Sequence, residues 1–120
     1  MSKLILVVDD ERNFLQLLMR ILGKKGFEVK TALNGDDALK LIDEQSFDIA
    51  LLDIRMSPMN GIQLLGEIKE RQPLIKAVMM TAYPTHETRV QATDLGASAY
   101  LTKPVEPNEL IKTIDSLLLQ

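Results

Sequence analysis

Polar side chains follow four short apolar runs of this chain, and their types suit one chemistry. Asp9 and Asp10 follow the first run, Asp53 the second and Thr81 the third, and Lys103 comes two residues after the fourth. The runs are Leu4–Val8, Ile49–Leu52, Ala77–Met80 and Ala99–Leu101. If they are parallel strands, their carboxyl ends share one edge of the sheet, the usual ligand site of an open α/β sheet. Carboxylates meeting there are costly unless a cation neutralises them, which favours a reactive site over a structural one.

The predicted cluster contains the groups that phosphoryl transfer uses. Hard cations such as Mg²⁺ bind carboxylate oxygens and keep several waters, so a few carboxylates suit a metal that also binds a phosphoryl group. Asp53 is the natural nucleophile, because a carboxylate that attacks phosphorus forms an acyl phosphate. Lys103 can pair with the phosphoryl oxygens, and Thr81 offers a hydroxyl donor. Taken alone, each residue has an ordinary explanation as a cap, a turn residue or a solvated charge.

The elements that must position these residues alternate between apolar runs and segments of helical period. Five βα units predict an α/β fold with a doubly wound, flavodoxin-like parallel sheet. The predicted strands are Leu4–Val8, Phe27–Ala32, Ile49–Asp53, Lys76–Thr81 and Ser98–Thr102. The first, third and fourth are almost wholly apolar, as strands covered on both faces are. The second and fifth are shorter or more polar and should be the sheet edges, where the strand order 2-1-3-4-5 places them.

Five helices are predicted to follow the strands. The first ends near Gly23, the fourth near Leu95, and the fifth has Pro107 in its first turn. The predicted N-caps of the second, third and fourth helices are Asn34, Asn60 and Thr85, with Gln63 completing a capping box after Asn60. The predicted inward faces are Phe14, Leu17, Leu18, Ile21 and Leu22 in the first helix, Ala38, Leu39 and Ile42 in the second, Ile62, Leu65 and Ile68 in the third, and Leu110, Ile111, Ile114, Leu117 and Leu118 in the fifth.

Composition excludes several classes of protein. The chain has 120 residues and no cysteine, so we expect one domain over residues 1–120, without disulfides or thiolate metal sites. Its net charge of −3 argues against direct nucleic-acid binding, which needs clustered Lys and Arg. No apolar stretch is long enough to span a bilayer, and Leu4–Val8 is too short for a signal-peptide core. We therefore expect a cytoplasmic protein without a membrane partner.

Five segments together make the sequence resemble the response-regulator receiver domains of bacterial two-component signalling. Any one of them is weak, but all occur in the family's order and spacing and cover the whole chain. They are Val7–Glu11, Leu51–Met56, Met59–Gly61, Met80–Ala82 and, after Gly96 and Ala97, Tyr100–Pro104. One departure concerns the loop after the third strand. The family commonly has proline directly after the residue matching Met56, whereas here Ser57 intervenes before Pro58.

The resemblance implies a phosphoacceptor and a metal site. Asp53 is then the residue that receives the phosphoryl group. Asp10 and Asp53 bind Mg²⁺ together with the backbone carbonyl of Arg55, while Asp9 acts mainly through a coordinated water. The peptide bond between Lys103 and the following proline is usually cis in this family, which the small cis penalty before proline permits.

The resemblance also assigns a switch and a pair of gate positions. Thr81 and Lys103 contact the phosphoryl group, and Tyr100 turns inward once Thr81 moves toward that group. The residues two after the acceptor and two after the threonine govern the access of water to the acyl phosphate. These are Arg55 and Tyr83 here, and their size predicts slow self-dephosphorylation.

Partners follow from the same resemblance. A sensor histidine kinase or a phosphotransfer protein supplies the phosphoryl group. Phosphorylation then changes the face formed by the fourth helix, fifth strand and fifth helix, which controls an output domain or a downstream protein and offers a possible homodimer surface. Such a domain catalyses its own phosphorylation and hydrolysis but is not an enzyme with turnover of a free substrate.

Three other functions remain open on the sequence alone. A receiver-like scaffold would act without phosphorylation, although it would have no need of the full set of carboxylates, threonine and lysine. A hydrolase of the aspartyl-phosphate type commonly has a second aspartate two residues after the nucleophile, where this chain has Arg55. A flavodoxin-like redox protein would share the topology, but no phosphate loop rich in Ser, Thr and Gly follows the first strand.

Overall fold

A computed structural model describes residues 2–120 and shows strands and helices in strict alternation. The elements are β1 (Leu4–Val8), α1 (Arg12–Lys24), β2 (Glu28–Ala32), α2 (Gly35–Glu44), β3 (Ile49–Asp53), α3 (Gly61–Arg71), β4 (Lys76–Thr81), α4 (His86–Asp94), β5 (Ala99–Thr102) and α5 (Pro107–Leu118). All five predicted strands are confirmed, with β2 and β5 each beginning one residue later than predicted. Within the described residues, no helix has both the length and the hydropathy needed to cross a membrane.

The sheet is parallel throughout and has the predicted order β2-β1-β3-β4-β5. Its central strands are buried on both faces, whereas β2 alternates between exposed and covered residues and β5 has one fully buried position. In the register of the sheet, Val8 is level with Leu52, Asp53 with Met80, and Thr81 with Thr102. The strand ends that carry the polar residues therefore lie along one edge.

Alternate strand residues supply two hydrophobic cores, one on each face of the sheet. Leu6, Val8 and Leu52 belong to the core covered by α2, α3 and α4. Ile5 and Val7 belong to the core covered by α1 and α5. Because both faces are covered, the only part of the central strands left accessible to a ligand is their ends.

Side-chain caps are found at the starts of all three helices for which they were predicted, and Glu106 also caps α5. The Asn34 side chain accepts a hydrogen bond from the Asp37 backbone N–H at 2.8 Å. Asn60 and Gln63 form a reciprocal capping box, with bonds of 2.9 and 3.0 Å. Thr85 Oγ1 accepts a hydrogen bond from the Thr88 backbone N–H at 3.1 Å. Each cap satisfies a donor that the helix itself leaves free, so the loop before each helix ends at a defined residue.

The predicted inward face of α1 was wrong at one position. Leu17 is 48% exposed, whereas Leu15, which was not predicted to face inward, is 5% exposed and belongs to the core. Leu15, Leu18 and Leu22 form the stripe that faces the sheet, and residue 17 lies about 200° around the helix from residue 15. Phe14 and Ile21 are partly buried at the margin of this stripe.

The inward faces of the other helices agree more closely with expectation. Ala38 and Ile42 are buried, and Leu39 is packed against the core. In α3, Leu64 is fully buried as well as the predicted Leu65 and Ile68, while Ile62 is only partly buried. In α5, Leu110, Ile114 and Leu117 are buried, and Ile111 and Leu118 lie partly buried at the margin.

Candidate functional site

The carboxyl ends of β1 and β3 bring three carboxylates together. Asp9, Asp10 and Asp53 each offer one oxygen, and these oxygens lie within 4.8 Å of one another. Asp9 is fully buried and Asp53 is 4% exposed, whereas Asp10 faces solvent. The cluster therefore has two carboxylates held inside the protein and one at the mouth of the crevice.

Both oxygens of Asp9 are occupied by neighbours. Oδ2 accepts a hydrogen bond from Lys103 Nζ at 2.5 Å, and Oδ1 accepts the backbone N–H of Glu11 at 2.9 Å. The second bond satisfies a donor just before α1, a helix that has no side-chain N-cap of its own. Asp9 therefore joins the site to the start of α1, and both of its oxygens are engaged within the protein.

Lys103 follows the edge strand β5, and its side chain reaches the cluster past the end of β4. Its Nζ lies 3.5 Å from Asp53 Oδ1 as well as against Asp9, and its side chain is 14% exposed. Burial lowers the pKa of the ammonium, but the hydrogen bond and negative charge of Asp9, together with Asp53, outweigh it and raise the pKa. The Lys103 backbone N–H donates to the Thr81 carbonyl at 2.8 Å, and the peptide bond to Pro104 is cis. The lysine therefore stays charged at neutral pH.

Asp53 is destabilised as an anion. Burial and, after it, the negative charge of Asp9 raise the pKa of its carboxyl from 3.8 to about 6, and the charge of Lys103 and a hydrogen bond from the Arg55 backbone only partly oppose them. One lysine does not neutralise three carboxylates, so the site retains an excess of negative charge. A hard cation with oxygen ligands fits this donor set, to which Asp9, Asp10 and Asp53 each offer one oxygen.

Thr81 ends β4 beside this cluster. It is fully buried, and its Oγ1 accepts the backbone N–H of Tyr83 at 3.1 Å. The residue before it, Met80, accepts the backbone N–H of Ile54 at 3.0 Å, so the ends of β3 and β4 stay paired just past Asp53. The hydroxyl is thus held at the sheet edge by its own loop.

A cation–π contact joins the loop that follows β3 to the loop that follows β4. The guanidinium carbon of Arg55 lies 4.8 Å from the centroid of the Tyr83 ring, which is itself 65% exposed. Arg55 also lines a surface cavity of about 460 Å³ together with Asp10 and Thr88. The two positions singled out in the sequence are therefore partners, a contact that sequence reasoning did not foresee.

Tyr100 is held by two residues of α4. Its hydroxyl lies 2.7 Å from Thr88 Oγ1, and the Arg89 guanidinium carbon lies 4.4 Å from the centroid of its ring. The ring is partly buried against the core under α2, α3 and α4. Sequence reasoning missed Thr88 and Arg89, because α4 is amphipathic only weakly and its polar residues carry no pattern that points to β5.

The loop between β3 and α3 passes very close to the backbone of Asp53. The Gly61 N–H donates to the Ile54 carbonyl at 2.9 Å. A Cβ at Gly61 would lie 2.1 Å from the Asp53 carbonyl oxygen, so only glycine fits there. The Ser57–Pro58 peptide bond in the same loop is cis. The contacts of Gly61 show that this loop, which contains Pro58, returns to the backbone of Asp53.

Comparisons with known proteins agree with this geometry. The family model for the response regulator receiver domain matches residues 5–115. The transcriptional regulatory protein ZraR of Escherichia coli (strain K12) is 42% identical over 114 residues, which are 95% of this chain and 26% of ZraR. This chain thus spans about a quarter of the length of that curated relative.

Solved structures show the same likeness. A CheY-like receiver domain protein from Methanospirillum hungatei JF-1 superposes with a TM-score of 0.94 at 35% identity, covering 97% of this chain and 93% of that one. A response regulator from Burkholderia pseudomallei, solved with a phosphorylated aspartic acid and a calcium ion, has a TM-score of 0.89 at 32% identity, covering 93% of this chain and 66% of that one. This chain therefore belongs to the response regulator receiver domain family of two-component systems.

Proposed function

We propose that Asp53 is the residue of this domain that accepts the phosphoryl group, in a reaction that depends on Mg²⁺. The observation that carries the proposal is the cluster of three carboxylates within 4.8 Å, with Lys103 Nζ against two of them. Asp53 is one of these carboxylates and ends β3. Its pKa of about 6 leaves the carboxylate largely ionised, and so nucleophilic, at pH 7.5.

The chemical step is an in-line displacement at phosphorus. An Asp53 carboxylate oxygen attacks the phosphorus of a phosphohistidine, the new O–P bond forms, and the N–P bond breaks. The imidazole leaves with the electron pair of the broken bond. Asp10, Asp53 and the Arg55 carbonyl would hold Mg²⁺, with Asp9 assisting them, and the bound ion would supply positive charge that screens the phosphoryl oxygens. The resemblance to the family supports these ligands, and the positions of the three carboxylates agree with it.

Lys103 and Thr81 are proposed to bind the product. The Lys103 ammonium already lies 3.5 Å from Asp53 Oδ1, within reach of a group attached to that carboxylate. Thr81 would exchange the Tyr83 N–H, now bound by its Oγ1, for a bond to the phosphoryl group. That movement would shift the β4–α4 loop and Tyr100, so phosphorylation would select one of two states of the α4-β5-α5 face.

The partners are proposed on the family's behaviour. A sensor histidine kinase or a phosphotransfer protein supplies the phosphoryl group, and an output domain or a downstream protein senses the α4-β5-α5 face. That face is also the proposed homodimer surface. ZraR is a transcriptional regulatory protein. Residues 1–120 of this chain are proposed to act as one receiver domain, like the part of ZraR that they match. The cytoplasmic location and the absence of direct nucleic-acid binding stay predictions.

A phosphorylation-independent scaffold is the alternative to this proposal. It explains the fold equally well but gives no reason for three carboxylates and a buried ammonium at one edge. The domain is proposed not to turn over a free substrate, because the position two after Asp53 is occupied by Arg55 rather than by an acid–base catalyst.

The test is the intact mass of the protein after incubation with Mg²⁺ and acetyl phosphate. We expect one added phosphoryl group, none with EDTA in place of Mg²⁺, and none in the Asp53→Asn variant. Asp115→Asn, which removes an exposed carboxylate of α5, is the matched control and should gain the group like the wild type. No mass gain in folded wild-type protein would favour the scaffold.

A further inference from the structure

The Lys103 ammonium has a third neighbour besides the two carboxylates. Its Nζ lies 4.3 Å from the centroid of the Phe14 ring, a residue of α1. An ammonium this close to an aromatic face is attracted by the negative face of the ring. Phe14 and Lys103 are 89 residues apart in the sequence, and they meet because α1 begins just after Asp9, the carboxylate that Lys103 contacts.

The place of Phe14 in α1 sets it apart from the core leucines. Leu15, Leu18 and Leu22 fill the stripe that faces the sheet and are almost fully buried. Phe14 is only partly buried, at the margin of that core and at the end of the helix nearest the carboxylates. Its ring therefore meets Lys103 from the margin of the core and not from within the buried stripe.

A ring suits this position better than a polar group. The lysine side chain has a flexible four-carbon stem, and its ammonium carries three donors. A hydrogen-bond acceptor in place of the ring would take one of those donors away from Asp9, Asp53 and an incoming phosphoryl oxygen. The ring attracts the charge and leaves all three N–H groups available.

We propose that Phe14 is a positioning residue, which holds the Lys103 ammonium over Asp53 so that it meets the phosphoryl group. The proposal rests on the function proposed above. Without the ring, Lys103 would sample conformers that point to solvent, and phosphorylation would slow. Phe14 itself touches no reacting atom and acts only through Lys103.

Two variants separate the aromatic face from simple packing. Phe14→Leu keeps an apolar side chain but removes the ring, and Phe14→Tyr keeps the ring. We expect the rate of phosphorylation by acetyl phosphate with Mg²⁺ to fall about two- to fivefold in Phe14→Leu, and to stay near the wild-type rate in Phe14→Tyr. In a Lys103→Ala background, Phe14→Leu should cause no further loss.

The NMR resonances of the Lys103 side chain provide a readout that does not depend on phosphorylation. In the wild type and Phe14→Tyr, ring current should shift its Hε resonances upfield, and in Phe14→Leu they should move to ordinary lysine values. Circular dichroism checks that each variant is folded. If Phe14→Leu does not fold, Phe14→Met provides a second variant without the ring.

Three results would overturn the inference. They are unshifted Hε resonances in the wild type, a ring-free variant that is phosphorylated at the wild-type rate, and an equal loss caused by Phe14→Leu with and without Lys103. If the wild type gained no phosphoryl group, the proposed function would fail, and the Hε shifts would still decide whether Phe14 holds the ammonium.

Discussion

Two single side chains at this sheet edge are expected to control the access of water to Asp53. Arg55 and Tyr83 belong to different loops, and their cation–π contact spans the sheet edge at which Asp53 lies. Arg55 lines the surface cavity that contains Asp10, so this pair borders the path of solvent to the carboxylates. We expect a water molecule that hydrolyses the acyl phosphate to approach along this path.

Removing the pair should therefore shorten the lifetime of the phosphorylated form. We expect the double variant Arg55→Ala, Tyr83→Ala to lose its phosphoryl group severalfold faster than the wild type, because water gains access. The measurement is the decay of phosphorylated protein by intact mass after removal of the donor. Arg20→Ala, at an exposed position of α1, is the control and should decay like the wild type. An equal or longer lifetime in the double variant would contradict the gate.

At the scale of elements, the start of α3 is the most constrained feature near the acceptor. The capping box at Asn60 fixes the first turn, and Gly61 places that turn against the backbone of Asp53. The helix cannot move away without breaking the bond from the Gly61 N–H to the Ile54 carbonyl. The acceptor backbone is therefore held from both sides, by β4 and by α3.

Substitution of Gly61 should show this constraint. Gly61→Ala is expected to lower the free energy of unfolding by about 1–3 kcal/mol, because its methyl group meets backbone atoms that cannot rotate aside. Gly23→Ala in α1 is the matched control. Its added Cβ meets nothing within 4 Å, so alanine should stabilise that helix by about 0.5–1 kcal/mol. Urea denaturation measures both. A Gly61→Ala variant as stable as the wild type would show that the loop is free to move.

At the scale of the whole molecule, the charge cluster opposes folding. The buried Asp53 carboxyl has a pKa near 6 in the folded domain and an ordinary value of 3.8. The folded state thus binds the proton more tightly between these values, so its stability falls as pH rises from about 4 to 6. The sheet and its two cores must supply the free energy that keeps the ionised site folded at neutral pH.

Asp53→Asn should remove this penalty. In EDTA at pH 7 we expect the variant to be more stable than the wild type by about 1–3 kcal/mol, and at pH 4 the difference should nearly vanish. Urea denaturation at both pH values measures it, with Asp115→Asn as the control for loss of an exposed charge. Mg²⁺ should then stabilise the wild type more than the variant, because the metal binds only the folded site. A wild type as stable as Asp53→Asn at pH 7 would refute the penalty.

Sequence patterns alone determined much of this architecture. Hydrophobic runs located the five strands, and their polarity identified the edges, because coverage by helices on both faces requires wholly apolar strands. The caps at Asn34, Asn60 and Thr85 could be predicted because each involves residues within one helical turn. The convergence of the carboxylates followed from the parallel topology, since all strand ends then share one edge.

The tertiary structure alone decided the contacts between those groups. The rotation of α1 made Leu15 a core residue in place of Leu17 and placed Phe14 beside Lys103. Lys103 bonds Asp9 across 94 residues, a contact that no local pattern encodes. The same holds for the contacts Arg55–Tyr83 and Thr88–Tyr100, and for the raised pKa of Asp53, which depends on burial and on neighbouring charges. Periodicity and caps are short-range properties of the chain, whereas distances between side chains on separate elements are set only when those elements pack.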